Sequence, residues 1–146
     1  MLSRKAKYGL LAMIHLARHA GEGPVLIEAL AQSERIPRKF LEQILLELKK
    51  KGLLASRKGR GGGYQLGRPP EKISMAEIIR ILDGPLAPVP CVSVTAYAPC
   101  QECVDPAACG IRLVMQEVRD GIAAILEEAT LAEVLRRMNP AGRRKP

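Results

Sequence analysis

Four cysteines, Cys91, Cys100, Cys103 and Cys109, fall within nineteen residues, separated by gaps of eight, two and five. Thiolates ligate soft metals, attack electrophiles and exchange with disulfides. In a chain expected to be cytoplasmic, four of them together point to metal or redox chemistry before structural disulfides. Cys100-Gln101-Glu102-Cys103 has the spacing of a thiol oxidoreductase pair, but it lies in a proline-rich stretch rather than at a helix start after a strand. Pro90, Pro99 and Pro106 stand near the thiols, as expected of a loop wrapped around something. Other chemistry is scarce: the sequence offers no His near a carboxylate, no nucleophile with a base and no phosphate loop, so an enzyme is not expected. His15 and His19 read as plain helix residues with no assigned role.

A second set of charged and polar residues lies upstream, between Ile36 and Leu66. Apolar residues at 40/41, 44/45 and 48 recur as on an amphipathic helix, with Pro37 suited to its first position. Arg38, Lys39, Glu42 and Gln43 then face outward. Lys49-Lys50-Lys51-Gly52 ends the helix with cations at its negative pole. Ala55-Ser56-Arg57 and Tyr64-Gln65-Leu66 are short strand candidates around Lys58-Gly59-Arg60-Gly61-Gly62-Gly63. Its four glycines let the chain reverse and approach another molecule closely, while Arg57, Lys58 and Arg60 charge the tip. A helix followed by a cationic hairpin, behind a second short helix, is the ground plan of a winged helix-turn-helix.

Charge distribution agrees with that plan. Of the net +8, residues 1–70 carry +9 (fourteen Lys/Arg, five Asp/Glu), residues 71–139 carry −4 (six against ten), and the tail adds +3. The first half is built to meet a polyanion, and a basic half with a coherent motif points to nucleic acid rather than a membrane. No apolar run reaches the eighteen or so residues of a spanning helix. Tyr8 to Ala17 behind Arg4-Lys5 imitates a secretory signal, but His15 and Arg18 interrupt it and no cleavage site follows. With no Trp, one Phe and three Tyr, the core of this 146-residue chain must be aliphatic.

The remaining elements position these two sets. Ser3 caps a first helix with Ala6, Leu10, Met13/Ile14 and Ala17 inward, ending near Ala20-Gly21; Leu26 to Gln32 makes a short second helix, and Ser33 to Ile36 a tight turn. Ser74-Met75-Ala76-Glu77 is a capping box opening a helix that Gly84-Pro85 stops. From Gly84 to Pro106, five prolines and three cysteines show no periodicity. Asp105-Pro106 resembles a helix start. Beyond it Ile111, Met115, Val118, Ile122, Ile125 and Ala129 follow heptad steps, widened by Val114 and Leu126. Such a helix either covers the domain core or forms a two-fold dimer seam, the latter being preferred. Thr130 opens a final short helix. The expected organisation is mainly α with a two-stranded β-wing: a winged helix-turn-helix domain over 1–83, a cysteine-bearing sensor loop over 84–109, dimerisation helices over 110–138 and a basic tail over 139–146.

The chain resembles the Rrf-two family of bacterial transcription regulators, of the iron-sulfur cluster regulator type. The matching residues are Tyr8-x-Leu10, Ile36-Pro37, Phe40-Leu41-Glu42-Gln43-Ile44-Leu45-x-x-Leu48, Gly52-Leu53-Leu54-x-Ser56 and Gly59-x-Gly61-Gly62-Gly63-Tyr64-x-Leu66. The resemblance implies a homodimer on a near-palindromic operator in double-stranded DNA, with the reading helix in the major groove and the wing toward backbone and minor groove. It places the amide-bearing reading position on Gln43 and the wing cation on Lys58, with Tyr64 of the same motif a further expected DNA-binding residue. Lys39 occupies a contact position that often holds a smaller hydroxyl residue. Gln43 can pair bidentately with adenine, worth roughly 1–3 kcal/mol of discrimination. Arg38, Lys39, Arg57, Lys58 and Arg60 would mostly neutralise phosphates.

Cluster-binding members use three cysteines at about this place, commonly spaced five and five, plus a fourth ligand. Here Cys103-x5-Cys109 keeps the second gap and the first is altered. Where one member type has a ligating His three residues after the last cysteine, this chain has Arg112; another takes an acidic ligand near the N-terminus, yet Met1 to Gly21 contains no Asp or Glu. Cys91 is then the natural fourth ligand of an all-thiolate site, suited to a 2Fe-2S or 4Fe-4S cluster or to tetrahedral zinc, with unliganded redox-active thiols also open. The runner-up reading is a winged-helix protein-interaction module with a structural zinc.

Overall fold

The structure, a computed structural model, describes residues 2–139; most of the basic tail expected over 139–146 therefore lies outside the described residues. The described residues form six α-helices and a two-stranded sheet: α1 Arg4–Arg18, α2 Ile27–Glu34, α3 Arg38–Lys50, β1 Leu54–Arg57, β2 Gly63–Leu66, α4 Met75–Asp83, α5 Gly110–Glu128 and α6 Leu131–Met138. The mainly α architecture with a β-wing is the one expected.

Three helix starts follow their capping residues. Ser3 Oγ accepts from Ala6 N at 2.9 Å, Ser74 Oγ from Glu77 N at 3.2 Å and Thr130 Oγ1 from Glu133 N at 3.1 Å, contacts each worth about 1 kcal/mol. The aliphatic core contains Met13 and Leu16 of α1, Leu30 of α2, Leu41, Ile44, Leu45 and Leu48 of α3, Ile78 of α4 and Leu131 of α6. The ring of Tyr8 meets Phe40 edge-on, with centroids 5.5 Å apart, and seats α1 against the first turn of α3.

Two local expectations change. Helix α2 continues to Glu34 instead of stopping at Gln32, and the reversal into α3 is concentrated in Arg35, whose φ of 55° is left-handed. The turn falls within the expected Ser33 to Ile36, but with neither Gly nor Asn at 35 its left-handed residue has no local preference for that conformation; packing of Leu30 and the following Ile36, both buried, imposes it. Asp105-Pro106 does not open a long helix. Asp105 caps a 3-10 turn, Pro106–Ala108, and α5 begins at Gly110 with Cys109 as its N-cap.

The hairpin pairs Leu54 with Leu66 through Arg57 with Gly63. It does not stand alone, because Val25 and Tyr64 exchange two backbone hydrogen bonds of 2.8 Å, pinning the wing to the α1–α2 loop. A second bridge joins Met75 N to Ala129 O (2.9 Å) and Leu131 N to Ile73 O (2.8 Å), tying the start of α4 to the α5–α6 joint. Helix α6 folds back onto the core, whereas no residue of α5 is fully buried. Among the described residues, no helix is long and apolar enough to cross a membrane.

Candidate nucleic-acid interface and thiol pocket

Helix α3 buries Leu41, Ile44, Leu45 and Leu48 and turns Lys39, Glu42 and Gln43 to solvent. Lys39 and Gln43, four apart, stand one above the other on that face. Arg38 is also exposed but is not a free cation. Its Nη1 donates to Glu28 Oε1 of α2 at 2.6 Å and its Nε to Glu42 Oε1 at 3.1 Å. This network links the two helices flanking the turn at Arg35. The Arg38–Glu42 contact is one helical turn long, whereas the link to Glu28 exists only because α2 and α3 dock across Arg35.

The wing carries Arg57, Lys58 and Arg60 exposed to solvent. Its tip closes through Gly62 N to Gly59 O at 3.0 Å, with Gly59 and Gly61 at positive φ. Tyr64 sits differently from these cations: it is half-buried, packed against the hydrophobic core, with its backbone in the bridge to Val25. The exposed polar face of α3 and the cationic tip project from elements that share one core, the arrangement by which a helix enters a groove while a hairpin meets the flanking backbone.

The four thiols line one cavity of about 970 Å³ between the loop and the start of α5, together with Val89, Tyr97, Ile111 and Arg112. All four are free. Cys91 lies in a 3-10 turn, Pro90–Val92, and is half-buried, as are Cys103 and Cys109; Cys100 is exposed. Cys109 Sγ accepts from Arg112 N at 3.5 Å, and Cys103 N donates to Cys100 O at 3.2 Å. Burial raises the Cys103 thiol pKa, and the neighbouring Cys109, Cys100, Cys91 and Asp105 push it further the same way. The three other thiols all bear on Cys103 and line the same cavity, which fits a shared all-thiolate donor set, and the cavity has room for a multi-atom cluster. Among the described residues, however, no three His, Cys, Asp or Glu side chains already converge at single-ion spacing. Ligation of one small ion would have to draw the sulfurs together.

The two histidines lie outside this pocket, and both do have carboxylate neighbours, contrary to the reading of the sequence. His15 Nδ1 is 2.9 Å from Glu34 Oε1, and His19 Nδ1 is 2.7 Å from Glu22 Oε2. The first pair joins residues nineteen apart, which only the α1–α2 packing brings together.

The apolar stripe read as a dimer seam lies along α5. Ile111 and Ile125 are 68% and 66% exposed and Val118 39%, while Met115 and Ile122 are half-buried. At its C-terminal end the stripe dips into the core through Leu126 and the buried Ala129.

Fold, exposed reading helix and cationic wing define a winged helix-turn-helix transcription regulator that binds DNA. The chain belongs to the Rrf2 family, described as iron-dependent transcriptional regulators, whose model matches residues 2–137. It is 42% identical over 146 residues to a putative rrf2-like HTH-type transcriptional regulator of Rhodobacter capsulatus, covering 98% of this chain and 97% of that protein. Among solved structures it is similar to CymR (YrzC), the global cysteine regulator of B. subtilis, with TM-score 0.80, 34% identity and coverage of 95% and 98%. It also resembles T. potens IscR, with TM-score 0.77, 31% identity and coverage of 100% and 93%. These relatives are transcription regulators, not enzymes.

Proposed function

We propose that this protein is a cytoplasmic regulator that binds a near-palindromic operator as a homodimer and is modulated by an iron-sulfur cluster, 2Fe-2S or 4Fe-4S, held by Cys91, Cys100, Cys103 and Cys109. The observation that carries this reading is the location of four free thiols on one cavity at the base of a helix whose apolar outer face lacks cover. Similarity to T. potens IscR and the family's description as iron-dependent regulators support a cluster.

Residues 1–83 act as the reading unit, 84–109 as the sensor and 110–138 as the dimerising unit. Gln43 and Lys39 address base edges and the adjoining backbone; Arg57, Lys58 and Arg60 neutralise phosphates. Ile111, Met115, Val118, Ile122 and Ile125 bury one another across a two-fold axis, which fixes the spacing of the two reading helices. A cluster supplies a centre that oxidants or iron shortage can remove. The chain's own part is to hold its loop against α5 in one state and release it in the other, biasing a dimer equilibrium that DNA also senses.

The test is anaerobic purification with iron and sulfide analysis, a visible spectrum and operator binding. Wild-type protein is expected to be coloured and Cys103→Ala colourless. The two should differ in operator affinity by roughly 5- to 150-fold, the usual range of a coupling free energy. A coloured Cys103→Ala variant, or equal affinities, overturns the reading.

A further inference from the structure

Two arginines of α5 reach off the helix to the same short turn. Arg119 Nη1 donates to Val92 O at 2.7 Å, and Arg112 Nε donates to Cys91 O at 3.5 Å. The turn's own bonds use the carbonyls of Val89 and Pro90, which accept from Val92 N, Ser93 N and Ala98 N. Those of Cys91 and Val92 are met by the arginines. Pro88 and Pro90 donate nothing, so this segment depends on donors from outside it. A guanidinium is suited to that task, being planar, always charged and rich in N–H groups.

Burial separates this contact from an ordinary surface one. The Arg119 side chain is 18% exposed and its charge is balanced by the neighbouring Asp120. Val92 and Ser93 are buried, and Ser93 Oγ accepts from Ala96 N at 2.9 Å. Past Ser93 the loop is exposed until Cys103. The four thiols are thus divided. Cys91, through the arginines, and Cys109, as the N-cap of α5, belong to the helix frame; Cys100 and Cys103 belong to the exposed segment.

We infer that Arg119, assisted by Arg112, is a positioning residue that clamps the Cys91 turn to α5, presenting Cys91 beside Cys109 as a preformed pair onto which Cys100 and Cys103 close. This rests on the reading of Cys91 as the fourth thiolate. Arg112 and Arg119 are seven apart and each follows a seam residue, Ile111 and Val118. The clamped edge therefore adjoins the apolar stripe, and strain in the Cys91 turn is delivered to the helix that forms the seam.

The clamp can be tested without any metal. Metal-free wild-type, Arg119→Gln and Arg119→Lys proteins are pulsed with iodoacetamide and each cysteine's labelling is followed by peptide mass spectrometry. In wild type, Cys91 should label several-fold more slowly than Cys100. In Arg119→Gln, Cys91 should accelerate roughly fivefold or more, the effect of removing local protection, with Cys100 changed by less than about twofold. Arg119→Lys keeps the charge and one reaching donor, so its Cys91 rate should fall between the other two. Wild-type Cys91 rates in both variants overturn the clamp; if the Gln variant fails to fold, a wild-type rate in the Lys variant does so alone. Iron content of anaerobic Cys91→Ala separates the two ideas, since full iron loading there sinks Cys91 as a ligand while leaving the labelling result intact.

Discussion

Arg38 Nη1 stands 2.6 Å from Glu28 Oε1, and this ion pair joins the two helices of the helix-turn-helix across a turn made without glycine. The side chains are 53% and 63% exposed, so the pair contributes about 0–1 kcal/mol to stability. Its larger effect is on DNA binding. A cation already opposed by Glu28 and Glu42 releases fewer counterions from a phosphate than an unopposed one. Lys58→Ala, which removes one cation from each protomer of the dimer, should flatten the slope of log affinity against log salt by about 1.8, roughly 0.9 for each neutralised phosphate, and Arg38→Ala by less than half that. In the same titrations, Gln43→Ala should cost the operator roughly 1–3 kcal/mol for each half-site and leave random duplex nearly unchanged. Equal losses on both duplexes would show that Gln43 does not read bases.

Gly63 is where the wing touches the rest of the domain. A Cβ there would lie 2.1 Å from Val25 O, and the residue's φ is 141°. Gly63→Ala must displace the Val25–Tyr64 bridge. It should lower stability by about 1–3 kcal/mol in urea unfolding, the range for overpacked positions. Gly59→Ala meets no atom within 4 Å and should cost less, its φ penalty being on the order of 1 kcal/mol. If the two variants unfold alike, the bridge does not anchor the wing.

The α5 stripe makes a separable prediction about assembly. Val118 is exposed in the single chain, so Val118→Asp should alter protomer folding by no more than about 0.5 kcal/mol. In a dimer it places two carboxylates in the seam. Sedimentation should then show a monomer, with operator affinity reduced by at least about tenfold because two half-sites are no longer held together. A dimeric Val118→Asp protein would move the interface elsewhere.

Glu133 accepts from both Arg136 and Arg137, which lower its pKa to about 2. A carboxyl depressed on folding stabilises above its unfolded pKa, near 4.3, and loses that contribution as pH falls toward about 2. Helix α6 should therefore loosen between those values in wild type. Glu133→Gln, which does not titrate, should flatten that part of the profile. Amide exchange of α6 measured from pH 5 down to 2.5 checks it.

Features set by local rules were legible in the sequence. The caps at Ser3, Ser74 and Thr130, the buried stripe of α3 and the glycine-rich wing follow from spacing and side-chain chemistry alone. What was missed depends on residues far apart in the chain. Arg35 reverses the backbone because its neighbours are packed, not because of its own type. The partners of His15, the bridge of Val25 to Tyr64 and the reach of Arg119 to Val92 exist only once the helices have docked. In the thiol pocket, spacing grouped the four cysteines but gave no sign of their division between frame and loop, because that division comes from two arginine side chains outside any cysteine motif.

The backbone bridge of Met75 to Ala129 and Leu131 to Ile73 fixes one end of α5 and leaves the other at Cys109. Nineteen residues long, the helix is a lever arm of about 28 Å with its fulcrum on the DNA-reading core. A swing of about five degrees there, over an arm set by the 1.5 Å rise per residue, carries the thiol end through roughly 2.5 Å. Displacements at the far tip thus act with the greatest mechanical advantage on the angle between the two halves of the molecule.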